Sequence, residues 1–432
     1  MGPGGSVASA EVRVRARSIP RERRVVLRPL YVPWDRFMPT LPRLGAVCDL
    51  ERHRGRAVGG DSDMIFEDRY KIILSACQDL RRHREQLVGP VIAGQLLEEV
   101  DEDVPNEQLL SHIVAEALLH RLDRRLLDGK NIYLQRFEVA QIDLFDLLRK
   151  AIPVLPQAYA IANQYLVHAL RGLESAALLD IGIGKGAQVV TIIRELAVDP
   201  GALRRLRVVA LDPSASSLAE AKAAIEAAVS LLPGVPFTVE VAQLRGLIER
   251  WEPAALQHNV GLVDGVVINA AYALHHTTHP PNDQQARTDL LRRLAGLRPR
   301  VFTLVEPNAN HDTELLTKRV HSCWQHFGAV FDLVDRSDAT PLEKLAIKDK
   351  FFGREVRDIL GTSDTFRCER HEPYESWLLR LTKAGFKPTP AIALDIALPD
   401  YCWAIEREGL VRLGYRDQAL IAVFAYRCPE AA

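Results

Sequence analysis

No run of about 18 consecutive apolar residues occurs in this 432-residue chain, so no transmembrane helix is expected. The opening residues, MGPGGSVASAEVRVR, lack the apolar core of a secretory signal. Cysteine is scarce. Its six copies, Cys48, Cys77, Cys323, Cys368, Cys402 and Cys428, form no C-x-x-C pair, which excludes a disulfide scaffold and fits reduced thiols. Charge of one sign is also missing. Lys plus Arg is 55 against 56 for Asp plus Glu, a formal net charge of −1, so the basic field that holds nucleic acid or anionic membrane is absent. These absences predict a cytoplasmic protein that binds neither nucleic acid directly nor membrane. Oligomeric state is open, and a homo-oligomer is compatible with it.

What is present is globular. Hydrophobic residues make up 47% and charged residues 26%, enough for a sizeable core in one large domain or two ordinary ones. Residues 1–62 stand apart. Twelve arginines lie between Arg13 and Arg56 against four acidic residues in that stretch, which reads as a basic, flexible, solvated arm ahead of a tail for an anionic partner. Residues 63–160 read as a helical cap. In NEQLLSHIVAEALLHRL the positions Leu110, Ile113, Val114, Ala117, Leu118 and Leu122 share one face at helical spacing. Residues 161–432 form the remaining part. From Ala176 short β-branched runs alternate with helices through five strand–helix units, from ALLDIGIG to RVFTLVEP, which predicts a parallel sheet with helices on both faces. A helical insertion is expected near 338–370. The closing segments CWAIEREGLVRLGY and ALIAVFAYR predict antiparallel edge strands.

The chemistry gathers at strand ends. Asp180-Ile181-Gly182-Ile183-Gly184-Lys185-Gly186 closes the first strand and opens a helix, a pattern that lets a ligand approach bare backbone. Its leading acid suits a cationic amino group and would repel a pyrophosphate. Asp212, at the end of the second strand, is placed to accept ribose hydroxyls. Two acids and three glycines make S-adenosylmethionine the leading ligand. Gln243 is either an adenine-edge contact or a loop polar residue, and Asn269 falls where the sulfonium would lie. His275, His276 and His279 follow Asn269. His275 and His279 have i,i+4 spacing, but no Cys or E-x-x-H frame accompanies them, so no metal is expected. A histidine here is either a general base for a substrate hydroxyl or a packed or solvated ring. Glu306 either orients a histidine or binds a polar substrate, or else acts only electrostatically on the following helix.

ALLDIGIGKG, ALDPS and DGVVINAAYALHH resemble motifs of class I Rossmann-type methyltransferases. ANQYL, LVEPNANHD, FFGREVRDI, ERHEPYESWLLRLTKAGFKP and LGYRDQALIAVFAY, in that order over about residues 66–427, resemble the GRAS family, and more specifically a bacterial member of it. The resemblance implies an α/β fold, Rossmann methyltransferase-like, with a mostly parallel sheet and an N-terminal helical cap. Plant members of the family resemble transcriptional regulators that work through protein contacts. Their first-strand motif keeps an aspartate and a later Gly-x-Gln, matched here by Asp180, Gly186 and Gln188. Gly182 and Gly184 depart from it toward the enzyme, and Tyr426 stands where the family ends in tryptophan.

Two functions compete. The first is a methyltransferase that uses S-adenosylmethionine on a small-molecule acceptor, at a hydroxyl, in a pocket between cap and core. Asp180, Gly182, Gly184, Gly186, Asp212, Gln243 and Asn269 would then hold the cofactor, with His275, His276 or His311 as base and Glu306 as orienter. The second is a non-catalytic GRAS-type regulator, or a small-molecule-binding module, using the same pocket. The glycine run favours the first.

Overall fold

The computed structural model describes residues 66–97, 100–122, 141–232, 234–277, 283 and 285–429. The basic arm and His279 fall outside the described residues. Residues 63–432 form one compact unit, and no described helix is long and apolar enough to cross a membrane.

Five helices precede the first strand: α1 (Phe66–Arg81), α2 (Glu85–Gln95), α3 (Asn106–Leu122), α4 (Gln141–Ala151) and α5 (Val154–Arg171). Strand and helix then alternate as the apolar runs predict: β1 (Ser175–Ile181), α6 (Ala187–Val198), β2 (Arg205–Asp212), α7 (Ala215–Leu231), β3 (Thr238–Arg245), α8 (Pro253–Val260), β4 (Gly265–Ala271), α9 (Ala286–Ala295), β5 (Val301–Pro307) and α10 (Leu316–Asp335). Next come α11 (Pro341–Leu345), a π-helical segment (Ala346–Phe352), α12 (Gly353–Gly361), α13 (Tyr374–Lys383), a short β6 (Lys387–Pro388), β7 (Cys402–Arg407), β8 (Leu410–Tyr415) and β9 (Gln418–Arg427).

The sheet runs in the order β3-β2-β1-β4-β5-β9-β8-β7, with β6 beside β9. Strands β1 to β5 pair in parallel and β7 to β9 antiparallel. This is the expected α/β, Rossmann methyltransferase-like arrangement. Every residue of β1 is buried, because helices cover both faces. Ala176 and Leu178 join the apolar layer of α5, α6 and α7. Their neighbours Ala177, Leu179 and Ile181 join the layer of α8, α9 and α13. The period of two along the strand therefore divides one apolar run between two cores.

Two elements differ from the sequence pattern. Helix α3 buries Leu109, Ser111 and Ala115 as well as its predicted face apart from Leu122, which is half-buried, because it packs against α1 and α2 and also against α10 and α12. The segment CWAIEREGLVRLGY is a hairpin of β7 and β8. It turns at Glu408 and Gly409, whose φ values of 50° and 76° give the left-handed pair that a two-residue hairpin needs.

Candidate functional site

The sheet order places the carboxyl ends of β1 and β4 side by side, where the connections turn to opposite sides and open α/β sheets form their crevice. The glycine loop starts there. Gly182, Gly184 and Gly186 take φ values of 75°, 55° and 77°, a region costly for residues with a Cβ. Two of the three are also fixed by packing. A Cβ on Gly182 would lie 2.8 Å from the Ala273 Cβ, and one on Gly186 would lie 3.0 Å from the Ala221 backbone.

Asp212 closes the loop from below. One of its oxygens accepts the Gly184 N–H at 3.1 Å and the other accepts the Ser214 N–H at 2.8 Å. Burial raises its pKa, and these two bonds work against the rise. The carboxylate that a ribose would need is thus engaged with backbone. Gln243 donates through Nε2 to the Leu218 carbonyl at 2.6 Å, so its amide nitrogen faces α7.

Asp180 belongs to a buried polar chain. It accepts from Asn269 Nδ2 at 3.1 Å. Asn269 Oδ1 accepts from Thr303 at 2.8 Å, and Gln188 donates to Asn163 at 2.9 Å while accepting from Asn269 at 3.0 Å. Burial pushes Asp180 up to about 7, with Asn269 opposing and Asp212 adding.

The histidines form a second cluster. A 3₁₀ turn over Leu274–His276 follows β4. Glu306, wholly buried at the end of β5, accepts the Leu274 N–H at 2.8 Å and lies 2.5 Å from His275 Nδ1. Glu369, also wholly buried, approaches His275 Nε2 at 3.4 Å, His276 Nδ1 at 3.3 Å and His371 Nε2 at 3.3 Å. Burial alone would lower His275, but Glu306 and then Glu369 override it and hold the ring up at about 10. Burial carries His276 down to about 3, against the pull of Glu369. His311 and His371 share an Nδ1–Nδ1 hydrogen bond of 2.8 Å and are both held well below the usual imidazole value, chiefly by burial. Three arginines ring the cluster. Arg367 and Arg370 donate to Asp312, and Arg287 pairs with Glu372 at 3.0 Å.

Beside this cluster lies a cavity of about 60 Å³. Phe145, Leu148 and Tyr272 form part of its apolar wall, and His275, His371 and Glu355 give it a polar end. Burial raises the Glu355 carboxyl well above the usual range, with Glu369 adding.

The structure therefore brings His275, His276, His311 and Glu306 together, gathers Asp180 with Asn269, and ties Asp212 to the glycine loop. Glu369 and His371 were missed. They sit in the run Arg367–Glu372, in which every residue is buried, whereas a charge run read from sequence is assigned to solvent. The one available signal was that ERHE carries the family resemblance.

A family model described as the GRAS domain family matches residues 74–395. Chitin-inducible gibberellin-responsive protein 2 of Oryza sativa subsp. japonica is 28% identical over 347 residues, 74% of this chain and 61% of its own. Scarecrow-like protein 21 of Arabidopsis thaliana is 27% identical over 374 residues, 83% of this chain and 88% of its own. The chain thus spans less than two thirds of the first relative and most of the second. The crystal structure of SCL7 in Oryza sativa is similar with a TM-score of 0.65 at 19% identity, over 83% of this chain and 99% of that one, which is agreement in fold. These comparisons correct the expectation of an S-adenosylmethionine-dependent methyltransferase: the matching family model is the GRAS domain family, and the matching relatives are a gibberellin-responsive protein and a Scarecrow-like protein. They are plant proteins and lend no support to a bacterial source.

Proposed function

The chain belongs to the GRAS domain family, and on that premise we propose that it is a non-catalytic regulator whose pocket between the N-terminal helices and the sheet takes up a small, mainly apolar molecule. One observation carries the reading. An apolar cavity opens on the C-terminal side of the sheet, next to side chains that the fold itself holds in place. His275 is clamped between Glu306 and Glu369, His311 is wholly buried, and Asp212 accepts two backbone N–H groups. A general base needs a free nitrogen at a substrate proton, and both ring nitrogens of His275 face carboxylates. The polar end of the cavity supplies the few convergent groups that orient a ligand.

In this reading Phe145, Leu148, Ile152 and Leu155, from α4 to the start of α5, wall the pocket, and regulation passes through protein contacts. S-adenosylmethionine is the first ligand to try at the glycine loop, bound but not turned over.

Thermal shift and calorimetry with S-adenosylmethionine, S-adenosylhomocysteine and a panel of small apolar acids test the reading. Val330 lines the cavity, so Val330→Phe should fill it. Ligand-induced stabilisation that disappears in Val330→Phe is the expected result. A methylated product formed from S-adenosylmethionine would overturn it.

A further inference from the structure

We infer that His275, Glu369 and His371 form a binding site for a divalent transition metal of the zinc class. His275 comes from the turn after β4, and Glu369 and His371 from the extended segment between α12 and α13. Two imidazole nitrogens converge on one carboxylate oxygen. His275 Nε2 lies 3.4 Å from Glu369 Oε2 and His371 Nε2 lies 3.3 Å from it. All three donor atoms fall within 4.8 Å of one another. A tetrahedral ion bound at about 2.0–2.1 Å sets its ligand atoms roughly 3.3–3.4 Å apart, which is the spacing of the two measured edges.

As hydrogen bonds these contacts are long. The oxygens of Glu369, which is 0% exposed, meet the nitrogens of His275, His276 and His371 only at 3.3–3.4 Å and outside good hydrogen-bond geometry, a weak arrangement for a buried carboxylate. Two guanidinium groups of the surrounding cluster face other carboxylates: Arg287 pairs with Glu372, and Arg367 with Asp312 and Asp364. A divalent ion would take the place of the His275 proton and replace these long contacts with direct bonds to all three side chains.

The surrounding shell is already suited to ligation. The other ring nitrogen of His275 is held by Glu306 at 2.5 Å, and that of His371 by His311 at 2.8 Å. A partner on the far nitrogen fixes ring orientation and tautomer, as in carboxylate–histidine–zinc arrangements. Two imidazoles with one carboxylate favour zinc or cobalt over magnesium or calcium. His275 and His371 also line the neighbouring cavity, where a fourth ligand would sit. Sequence spacing could not show this, because His275 is separated from the other two ligands by most of the distance to α13. The inference stands apart from the small-molecule reading, since metal content is measured with no organic ligand added.

The test uses the full chain, stripped with a chelator and titrated with Co²⁺ and then Zn²⁺. The expected result is one equivalent of Co²⁺ with the visible absorption of a tetrahedral ion, displaced by Zn²⁺, and a Zn²⁺-dependent rise in Tm. Glu369→Gln and His371→Gln should each weaken binding by more than about 100-fold. His83→Gln, at a side chain 88% exposed, should leave it unchanged. If either ligand variant fails to fold, X-ray absorption of the Co²⁺-loaded wild type decides: two imidazole ligands support the site, and none overturns it. Failure to bind either ion at micromolar concentration, or binding unaltered in both folded ligand variants, also overturns it.

Discussion

Asp212 accepts the Gly184 N–H at 3.1 Å, so the side chain at the end of β2 holds the loop at the end of β1. Its other oxygen takes the Ser214 N–H at the entry to α7. Asp212→Ala leaves both part-buried donors without this acceptor, and a loss of about 1–3 kcal/mol is expected. Urea denaturation measures it. An unchanged midpoint would show that the loop is held by something else.

Asp180 makes stability depend on pH. Its carboxyl is raised from 3.8 to about 7, so between these values the native state binds more protons than the unfolded one. The stability contributed by the protonated form is complete below about pH 4 and is lost as pH rises through about 7. Asp180→Asn keeps the acceptor for Asn269 Nδ2 and removes the charge. The variant should have a flatter profile and exceed the wild type by about 2–4 kcal/mol above neutrality. Parallel pH–stability curves for the two proteins would contradict the assignment.

Gly182 and Ala273 test whether the crevice glycine serves packing. A Cβ at Gly182 meets the Ala273 Cβ at 2.8 Å, at a φ of +75°. Gly182→Ala should cost about 1–3 kcal/mol from overpacking together with backbone strain. Adding Ala273→Gly should recover the packing part and leave the strain, a coupling that a double-mutant cycle reads directly. Strictly additive effects would mean that the two residues do not press on each other.

Much of the fold was legible in the sequence, for a local reason. Runs such as ALLDIG and RVVALD are short, β-branched and separated by helical spacing, so the strand–helix alternation is written residue by residue. The extra burial of α3 was not legible, since it depends on α10 and α12, which arrive some 200 residues later in the chain. The strand-end positions of the site were legible, and the contacts of its side chains were not. Asp180, Asp212 and the glycines do sit at strand ends, but sequence cannot tell whether a strand-end carboxylate faces a ligand or two backbone N–H groups. The histidines after β4 were visible as candidates. Their partner Glu369 was not, because it lies in a charged run that the arginines and acids around it carry into the interior.

The central claim is that the side chains a methyltransferase would use are committed here to holding the fold. Its most direct test is the release of S-adenosylhomocysteine from methyl-labelled S-adenosylmethionine by the purified full chain, with a small-molecule extract of the source cells supplying acceptors. The account predicts no product above the protein-free control. Repeated turnover that disappears in Asp180→Ala would contradict it.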